Sequence, residues 1–576
     1  MRPKLTVGFT LINVLILTLG LPGSVLGASA GQNVRVTVNS PYLSADQLAG
    51  GSYTDTVLSL CGTDKRMQNE PTLGIDPRDS SVWTSGSNDY CTVPTAGDAW
   101  AGFYRSTDSG AHWTDSLLPG YKGDTSAQGL ASPLHALVAG GAIAAGDPVQ
   151  AWDSQGNLFY IGNNFNRGVG NGGSGRVRDN TGSIWVATYG PSDPNHHSTD
   201  GSKYLRTVLL ATNVFGQGSF NDKTNIAVDP STGDVFASWS DFHGSGCNEI
   251  LFSRSTDHGQ SFSPPLKVSS GICGNQGPSI AVGASGHVYI AWEGQTGGAF
   301  SATPGAISGA AFASSSDSGA SFSKAGFALT YDPFVFEAFS GNGSRDCGDV
   351  PFNCPTGFTF PRVDLAGPYL AADNTHGTLV MAFQVARPSG QGQIEYSVST
   401  NGGSTWTTAS LLASSTTGHQ FYPFLTASSG RVSAIWYDSR GDANYAASRP
   451  PCNSATGDTS ACLNVRYAES TNGGTTWSSS VQVTDTPTNP NYEQFGGRLV
   501  PFFGDYITVA AAADTVGAVW TDQRDTVGAS DASGDNDGAD VAGDPETGGS
   551  CTSSLTTCFD GTGGLDQNIY SSLIAP

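Results

Sequence analysis

Carboxyl groups recur where apolar runs begin along this 576-residue chain. Glu70, Asp147, Asp222 and Asp505 each stand at or just before such a run, in EPTLGI, DPVQAW, DKTNIAV and DYITVA. If the fold brings these acids together, they repel one another unless one holds a proton or a cation lies between them. The pattern therefore predicts a site where a proton is shared or a metal ion is bound.

Two arginines follow apolar runs in the similar segments WYDSR (436–440) and WTDQR (520–524). Converging guanidinium groups can hold a carboxylate ligand through paired hydrogen bonds, so Arg440 and Arg524 are candidate substrate-binding residues. The alternative is that each arginine pairs with the acid two residues earlier, Asp438 or Asp522. Both interpretations are open at the level of sequence.

An acidic stretch, SASGDNDGADVAGD, lies near the C-terminus. Asp535, Asp537 and Asp544 follow part of the spacing of a calcium-binding loop, although the first ligand position is a serine and the last is an aspartate. These three residues are the candidate metal ligands, with Ca²⁺ as the candidate ion and no other cofactor expected. The alternative is a flexible acidic loop.

The elements that position these residues are indicated by repeats. A box of the form Ser-x-Asp/Asn-x-Gly-x-x-aromatic occurs five times, at 106–113, 255–262, 315–322, 399–406 and 470–477. In a tight hairpin the Asp or Asn side chain accepts hydrogen bonds from turn amides, and glycine supplies a positive φ. Asp108, Asp257 and Asp317 are therefore interpreted as structural residues.

Paired β-type runs joined by short turns occur seven times, and most are followed by a third run that leads into a box. Four antiparallel strands in each unit, repeated radially, predict an all-β chain with a single β-propeller. Seven blades are favoured, with six as the alternative if the second unit is irregular. The segment NVRVTVNS (33–40) is expected to supply the missing outer strand of the last blade.

The boxes on a propeller resemble those of the sialidase-like superfamily of BNR-repeat (Asp-box) proteins. The resemblance implies a glycan-directed protein, with exo-sialidase-type glycoside hydrolysis as the candidate activity. It implies Tyr506 as nucleophile, with Asp505, Glu70 and Asp147 as the activating and acid/base carboxyl groups. The family's Arg-Ile-Pro motif is replaced here by Asn69-Glu70-Pro71, so Arg66 or Arg362 would have to supply the first clamping arginine. The alternative function is a non-catalytic extracellular propeller that binds a protein or polysaccharide.

The N-terminus has the features of a secretory signal peptide. Arg2 and Lys4 precede an apolar run, and Ala28-Ser29-Ala30 provides a cleavage site, so residues 1–30 are assigned to the signal and 31–576 to the propeller domain. The formal charge of −23 disfavours nucleic acid and anionic membranes as partners. A secreted monomer with a glycan or protein ligand is expected.

Ten cysteines, an even number, are typical of disulfides in a secreted chain. Pairing of nearest neighbours is one possible connectivity: Cys61–Cys91, Cys247–Cys273, Cys347–Cys354, Cys452–Cys462 and Cys551–Cys558. All ten fall in the longer loops, which should gather on the face opposite the boxes. Because long loops on a rigid scaffold are where binding usually occurs, this loop face is the expected functional face.

Overall fold

The computed structural model describes most of the chain after the N-terminal apolar run. The residues that it describes are 28–38, 40–64, 67–96, 98–166, 182–191, 197–212, 219–243, 247–296, 306–334, 367–447, 451–454, 457–458, 461–490, 503–525 and 567–575. Within these ranges, no helix has the length and apolar character needed to cross a bilayer.

Seven antiparallel sheets of strands in sequence order make up the architecture. From the innermost strand outward they are Gln68–Ile75, Trp83–Asp89, Trp100–Ser106 and Thr114–Leu117 in blade 1; Ala144–Trp152, Leu158–Phe165, Gly182–Gly190 and Lys203–Thr212 in blade 2; Ser219–Val228, Val235–His243, Glu249–Ser255 and Leu266–Lys267 in blade 3; Gly274–Val282, Val288–Gln295, Ser308–Ser315 and Gly326–Phe327 in blade 4; Tyr369–Asp373, Thr378–Ala386, Gly392–Ser399 and Ser410–Leu411 in blade 5; and Gln420–Ser428, Arg431–Asp438, Asn464–Ser470 and Val481–Gln482 in blade 6.

Blade 7 joins the two ends of the chain. Its inner strands are Thr508–Ala512, Thr515–Asp522 and Asn568–Ala575, and the last of these pairs with Ser29–Ala30 and Val34–Arg35. Each innermost strand contacts those of both neighbouring blades, and the circle closes between blades 7 and 1. The seven-blade prediction and closure by an N-terminal strand are confirmed, although within the predicted strand at 33–40 only Val34–Arg35 is paired, and the other pairing, Ser29–Ala30, lies before it.

Aromatic residues on the second strands fill the space between blades. Trp239, Trp292, Trp436 and Trp520 occupy equivalent register positions and are fully buried. Such side chains each remove roughly 150–250 Å² from water, so they dominate the energy of packing one blade on the next. The ring is therefore held together by apolar contacts between sheets, and packing of the blades does not depend on the polar side chains at the strand ends.

The boxes lie between the third and fourth strands of blades 1, 3, 4, 5 and 6, as predicted. In blade 3, Ser255 Oγ donates to Asp257 Oδ1 (2.7 Å), and the amide of Gly259 donates to Ser255 Oγ (2.8 Å). The Ser261 amide closes the loop on Asp257 Oδ1 at 2.9 Å. The polar side chains of this box are therefore hydrogen-bonded within the box itself.

Helices are short and lie outside the sheets. They are Ala45–Leu48, Thr56–Asp64, Val93–Ala96, Ala127–Ala131 and Pro133–Ala139, with 3₁₀ turns at Tyr90–Thr92, His197–Thr199 and Ala284–Gly286. A further two-stranded ribbon pairs Asn453–Ser454 with Gly457–Asp458.

Three disulfides support the loops around these elements: Cys61–Cys91, Cys247–Cys273 and Cys452–Cys462. These three predicted pairs are confirmed. The pairs predicted for Cys347, Cys354, Cys551 and Cys558 lie outside the described residues.

Candidate functional site

A repeated backbone feature lies in the first half of the innermost strands, or just before the strand in blade 5. Six blades have a residue with positive φ at the equivalent position: Glu70 (56°), Asp147 (50°), Lys223 (49°), Gly277 (66°), Gly367 (89°) and Tyr422 (52°). In blades 1, 2, 3, 4 and 6 this residue lies within a register shift between the first two strands. Blade 7 places Gly504 (φ 89°) immediately before Asp505.

Three of these positions carry charged side chains. A left-handed conformation costs a residue with a Cβ roughly 1–2 kcal/mol, and it is free for glycine, which blades 4 and 5 use. Glu70, Asp147 and Lys223 therefore hold strained backbone positions in three consecutive blades. Lys223 Nζ lies within ion-pair distance of the carboxyl groups of both Glu70 and Asp147.

Lys223 lies at the centre of the resulting group. Its Nζ is 2.6 Å from Asp505 Oδ2, 3.4 Å from Asp147 Oδ1 and 3.8 Å from Glu70 Oε1. The lysine side chain is only 12% exposed, and those of Glu70 and Asp505 are 2% and 3% exposed. Together with Asp222, these residues form what we call the Lys223 cluster, to which blades 1, 2, 3 and 7 contribute.

Asparagines fix the carboxyl groups of the cluster. Asn88 Nδ2 donates to Glu70 Oε2 (3.1 Å), while its Oδ1 accepts from the amide of Asp147 (2.9 Å). Asn163 Nδ2 donates to Asp147 Oδ2 at 2.7 Å. Asp147 also forms side-chain hydrogen bonds with Glu70 and Asp222. It is the shared acceptor of the cluster.

These contacts divide the protons unequally. Burial raises the pKa of Glu70 well above its usual value, and burial also raises that of Asp222. Burial alone would raise the pKa of Asp147 as well, but Lys223 and the hydrogen bonds from Asp222 and Glu70 hold it well below its usual range. These shifts favour the protonated, donating forms of Glu70 and Asp222 and the ionised form of Asp147.

Lys223 is protonated in this setting. Burial opposes its charge, but Asp147, Asp505 and Glu70 outweigh that effect and raise its pKa. The cluster thus contains the proton and the cation that crowded carboxylates require. The acids were predicted from the sequence, and their proximity is now observed.

Tyr506 lies beside the cluster with its hydroxyl already bonded. The hydroxyl donates to the carbonyl of Pro148 at 3.1 Å, and burial raises its pKa well above the usual value, with further contributions from Glu70 and Asp147. A phenol in this state is a poor nucleophile at neutral pH. The nucleophilic role predicted for Tyr506 stays a prediction.

Arg440 pairs with the acid two residues earlier. Its Nε donates to Asp438 Oδ1 (2.9 Å) and its Nη2 to Asp438 Oδ2 (2.6 Å). Asp438 also accepts the indole N–H of Trp436 at 3.2 Å. This is the local pairing that the sequence left open.

Arg524 repeats this arrangement and extends it. Its Nη2 donates to Asp522 Oδ2 (2.7 Å), and its Nη1 donates to Asp485 Oδ1 (2.5 Å), in the segment after the outer strand of blade 6. The guanidinium stacks 4.3 Å from the ring centre of Tyr570. None of these contacts of the two arginines is with a residue of the Lys223 cluster, and their predicted role in substrate binding stays a prediction.

Metal binding has a limited basis in the part of the chain that the structure covers. Among the described residues, no three His, Cys, Asp or Glu side chains are grouped as a metal site. Asp535, Asp537 and Asp544 lie outside the described residues, as do Arg66 and Arg362. Calcium binding by the acidic stretch therefore stays a prediction.

Lys223 was missed by sequence reasoning, as were Asn88 and Asn163. A signal for Lys223 was present, because the repeated units begin with Glu70, Asp147, Lys223, Gly277, Gly367 and Tyr422 at one aligned position. An alignment of the repeated units at this position would have placed Lys223 among the acids. The asparagines lie on second strands, and the sequence gives no comparable indication of their partners.

Comparisons with known proteins give only distant structural similarity. No family model matches the chain, and no curated protein matches it. The GH93 α-L-arabinofuranosidase of Fusarium graminearum aligns with 11% identity and a TM-score of 0.39, covering 71% of this chain and 92% of that chain. The Hadza microbial sialidase Hz136 aligns with 12% identity and a TM-score of 0.37, covering 76% and 70%.

The Trypanosoma rangeli sialidase aligns with 12% identity and a TM-score of 0.37, covering 71% of this chain and 58% of that chain. These solved structures are glycoside hydrolases by name. At such identities and TM-scores, the similarity does not extend to an activity.

Proposed function

We propose that this protein is a secreted, sialidase-like glycoside hydrolase whose acid/base chemistry takes place in the Lys223 cluster. The observation that carries the proposal is the strained placement of Glu70, Asp147 and Lys223 in consecutive blades. A position that glycine fills without strain is used in these blades to direct charge toward one point. Blades 4 and 5 have glycine at this position and blade 6 has the uncharged Tyr422, so charged side chains occur only in the three consecutive blades 1 to 3 among these six.

The divided protonation of the cluster suits glycosidic bond cleavage. Burial raises the pKa of Glu70 and so favours its protonated form, and Glu70 is the proposed general acid that protonates the leaving oxygen. Asp147 is ionised beside it, and Asp505 forms an ion pair with Lys223. Such paired carboxyl groups with separated pKa values are typical of acid/base sites. The carboxylates would stabilise the positive charge that develops on the sugar ring.

The other cluster residues have supporting roles in this proposal. Lys223 forms ion pairs with Asp147 and Asp505, and Asn88 orients both Glu70 and the backbone of Asp147. Tyr506 holds the innermost strand of blade 2 through the carbonyl of Pro148. A glycan substrate and secretion are supported by the box resemblance, and the three disulfides also favour an extracellular location.

The test is a hydrolysis assay of the purified protein against fluorogenic sialosides and a panel of other glycosides, with and without calcium. Glu70→Gln can keep the hydrogen bonds to Asn88 and Asp147 that the protonated acid makes. It cannot transfer a proton, so we expect kcat to fall about 10²–10⁴-fold. Loss of turnover when calcium is removed would support the predicted calcium site.

Glu293→Gln is the matched control. Glu293 is a buried acid of blade 4 whose pKa burial raises to about 8, and it accepts a hydrogen bond from Tyr331 at 2.7 Å. We expect this variant to keep activity within a few-fold of wild type. Absence of turnover on every glycoside, or full activity of Glu70→Gln, would refute the hydrolase.

A second candidate is a propeller that binds a ligand without cleaving it. It is favoured by the engagement of Tyr506, Arg440 and Arg524 in contacts within the protein. Specific glycan binding by a wild-type protein that turns over no substrate would establish this candidate in place of the hydrolase.

A further inference from the structure

The innermost strands divide the ring into two chemically different arcs. Blades 1, 2, 3 and 7 contribute the Lys223 cluster. Blade 6 places Tyr422 at the position that corresponds to Glu70, Asp147 and Lys223. Two residues further along their innermost strands, blades 5 and 6 place Tyr369 and Phe424, and we call these three aromatic residues the aromatic arc. A polar arc opposite an aromatic arc is the arrangement that a sugar ring requires, since it has an apolar face and polar edges.

The aromatic arc is packed but not closed. The rings of Tyr369 and Phe424 have centroids 4.5 Å apart with a 43° tilt, and both residues are partly exposed. Behind them, the buried ring of Tyr422 contacts Phe503, with centroids 6.0 Å apart. The exposed ring surface therefore rests on a rigid aromatic layer, which lowers the entropic cost of stacking a ligand on it.

Tyr369 also connects the two arcs. Burial raises the pKa of its hydroxyl, while Lys223 acts in the opposite direction and Asp505 and Glu70 raise it further. Tyr369 also packs against the apolar cluster that contains Phe503, two residues before Asp505 in blade 7. A ligand stacked on Tyr369 therefore approaches the same carboxyl groups.

The net charge of the Lys223 cluster is negative. Lys223 supplies one positive charge, and it faces the ionised Asp147 and its ion-pair partner Asp505. Glu70, when it ionises, adds a further negative charge. Arg440 and Arg524 are occupied by Asp438 and Asp522 and do not offset it. A carboxylate on a ligand would therefore meet net repulsion at short range, in a setting where water screens it weakly.

Resting on the glycan-directed function proposed above, we propose that the site selects sugars without an acidic group, stacked on Tyr369 and Phe424, and rejects carboxylated sugars. The chemical class is thus a neutral or amine-bearing sugar end. An amine is tolerated because the excess charge of the cluster is negative. Selection arises from repulsion of the wrong ligand as much as from attraction of the right one.

The test uses probes that differ in one group. Methyl β-D-glucoside and methyl β-D-glucuronide, and the matching galactoside and galacturonide, differ only in a CH₂OH or a carboxylate at C6. N-acetylneuraminic acid is added as a third acidic sugar. Binding is measured by titration calorimetry on the full chain carrying Glu70→Gln, so that no turnover is needed. We expect a neutral member to bind at least tenfold more tightly than its acidic partner.

Two variants and one control show which arc is responsible for the discrimination between neutral and acidic sugars. Phe424→Leu should weaken binding of the neutral sugar about fivefold, whereas Tyr396→Leu, in a ring pair with Trp477 on the third strand of blade 5, should leave it unchanged. Asp505→Asn removes one charge at similar size and should narrow the preference between glucoside and glucuronide. Circular dichroism confirms that each variant is folded.

The outcomes separate this inference from the hydrolase. Neutral-sugar binding without turnover by the wild type would refute the hydrolase and support the selectivity. Turnover of sialosides or uronides in preference to neutral glycosides would support the hydrolase and overturn the selectivity. Equal or tighter binding of the acidic probes, or binding of no probe, would also overturn it.

Discussion

The box turns and the Lys223 cluster use the same local device for different ends. In the boxes of blades 1, 3 and 4, the residue after the aspartate is left-handed: Ser109, His258 and Ser318 have φ of 58°, 57° and 54°. In the cluster, Glu70, Asp147 and Lys223 have nearly the same φ. Both regions therefore combine strained backbone with acidic side chains.

They differ in where the acids find their partners. Asp257 accepts from Ser255, Gln260 and Ser261, all within four residues of it. Burial opposes ionisation slightly, but these hydrogen bonds lower its pKa to about 2. Such an acid is ionised at every physiological pH, and its environment is complete within one loop.

The acids of the cluster depend on other blades. Asp147 in blade 2 relies on Lys223 from blade 3 and Glu70 from blade 1, and Lys223 relies on Asp505 from blade 7. Their protonation states exist only when the ring is assembled. Locally satisfied acids fix a turn, whereas acids satisfied across blades form a site whose protons can be moved.

The largest expected effect comes from removing the central cation. Lys223→Met leaves buried carboxyl groups without compensation, and we expect the free energy of unfolding to fall by about 3–5 kcal/mol. Lys267→Met is the control, because Lys267 pairs with Glu249 on the surface and is 43% exposed, so a loss below about 1 kcal/mol is expected. Urea denaturation measures both. Equal losses would contradict the dependence of the cluster on Lys223.

The second expected effect is that stability depends on pH with opposite sign at Glu70 in the Lys223 cluster and at Asp257 in the box of blade 3. The pKa of Glu70 is raised above 4.5 in the folded state, so the folded protein holds a proton that the unfolded chain releases. Its contribution to stability is complete below pH 4.5 and is lost as pH rises through the folded pKa. Glu70→Gln does not titrate, so its Tm relative to wild type should increase between pH 5 and 8.

The contribution of Asp257, in the box of blade 3, to stability changes with pH in the opposite direction. The pKa of Asp257 falls from 3.8 to about 2 on folding, so its contribution is present above pH 3.8 and is lost as pH falls toward 2. The slope of Tm against pH for Asp257→Asn should therefore differ from that of wild type only at acid pH. A Tm difference for Glu70→Gln that is constant from pH 5 to 8 would contradict the raised pKa.

The sequence predicted more of the ring than of the site. Repeated strand pairs and boxes predicted seven blades and the position of each box, because these features depend on local turn chemistry and alternation. Blade 2 departs from the pattern, with a ten-residue outer strand at Lys203–Thr212 in place of a box hairpin. The cluster was predicted only as four acids, since a lysine among carboxylates is visible only when the blades are aligned.

The arginines show why a motif alone does not predict its contacts. WYDSR and WTDQR give the same spacing for a ligand clamp and for a local Asp–Arg pair. In the structure, Asp438 and Asp522 each accept both the arginine and the indole N–H of the preceding tryptophan. A strand end that satisfies three side chains at once is favoured over two guanidinium groups held apart from any counter-ion.

The smallest expected effect tests whether a box acid acts through geometry or through charge. Asp257→Ala removes the acceptor for two turn amides and should lower the free energy of unfolding by about 1 kcal/mol. Asp257→Asn keeps that acceptor, and Asn401 and Asn472 make the same contact with the amides of Thr405 and Thr476 in blades 5 and 6. It should therefore be close to neutral at pH 7 in thermal unfolding. If Asn were as destabilising as Ala, the box would depend on charge, and the contrast with the Lys223 cluster would fail at this position.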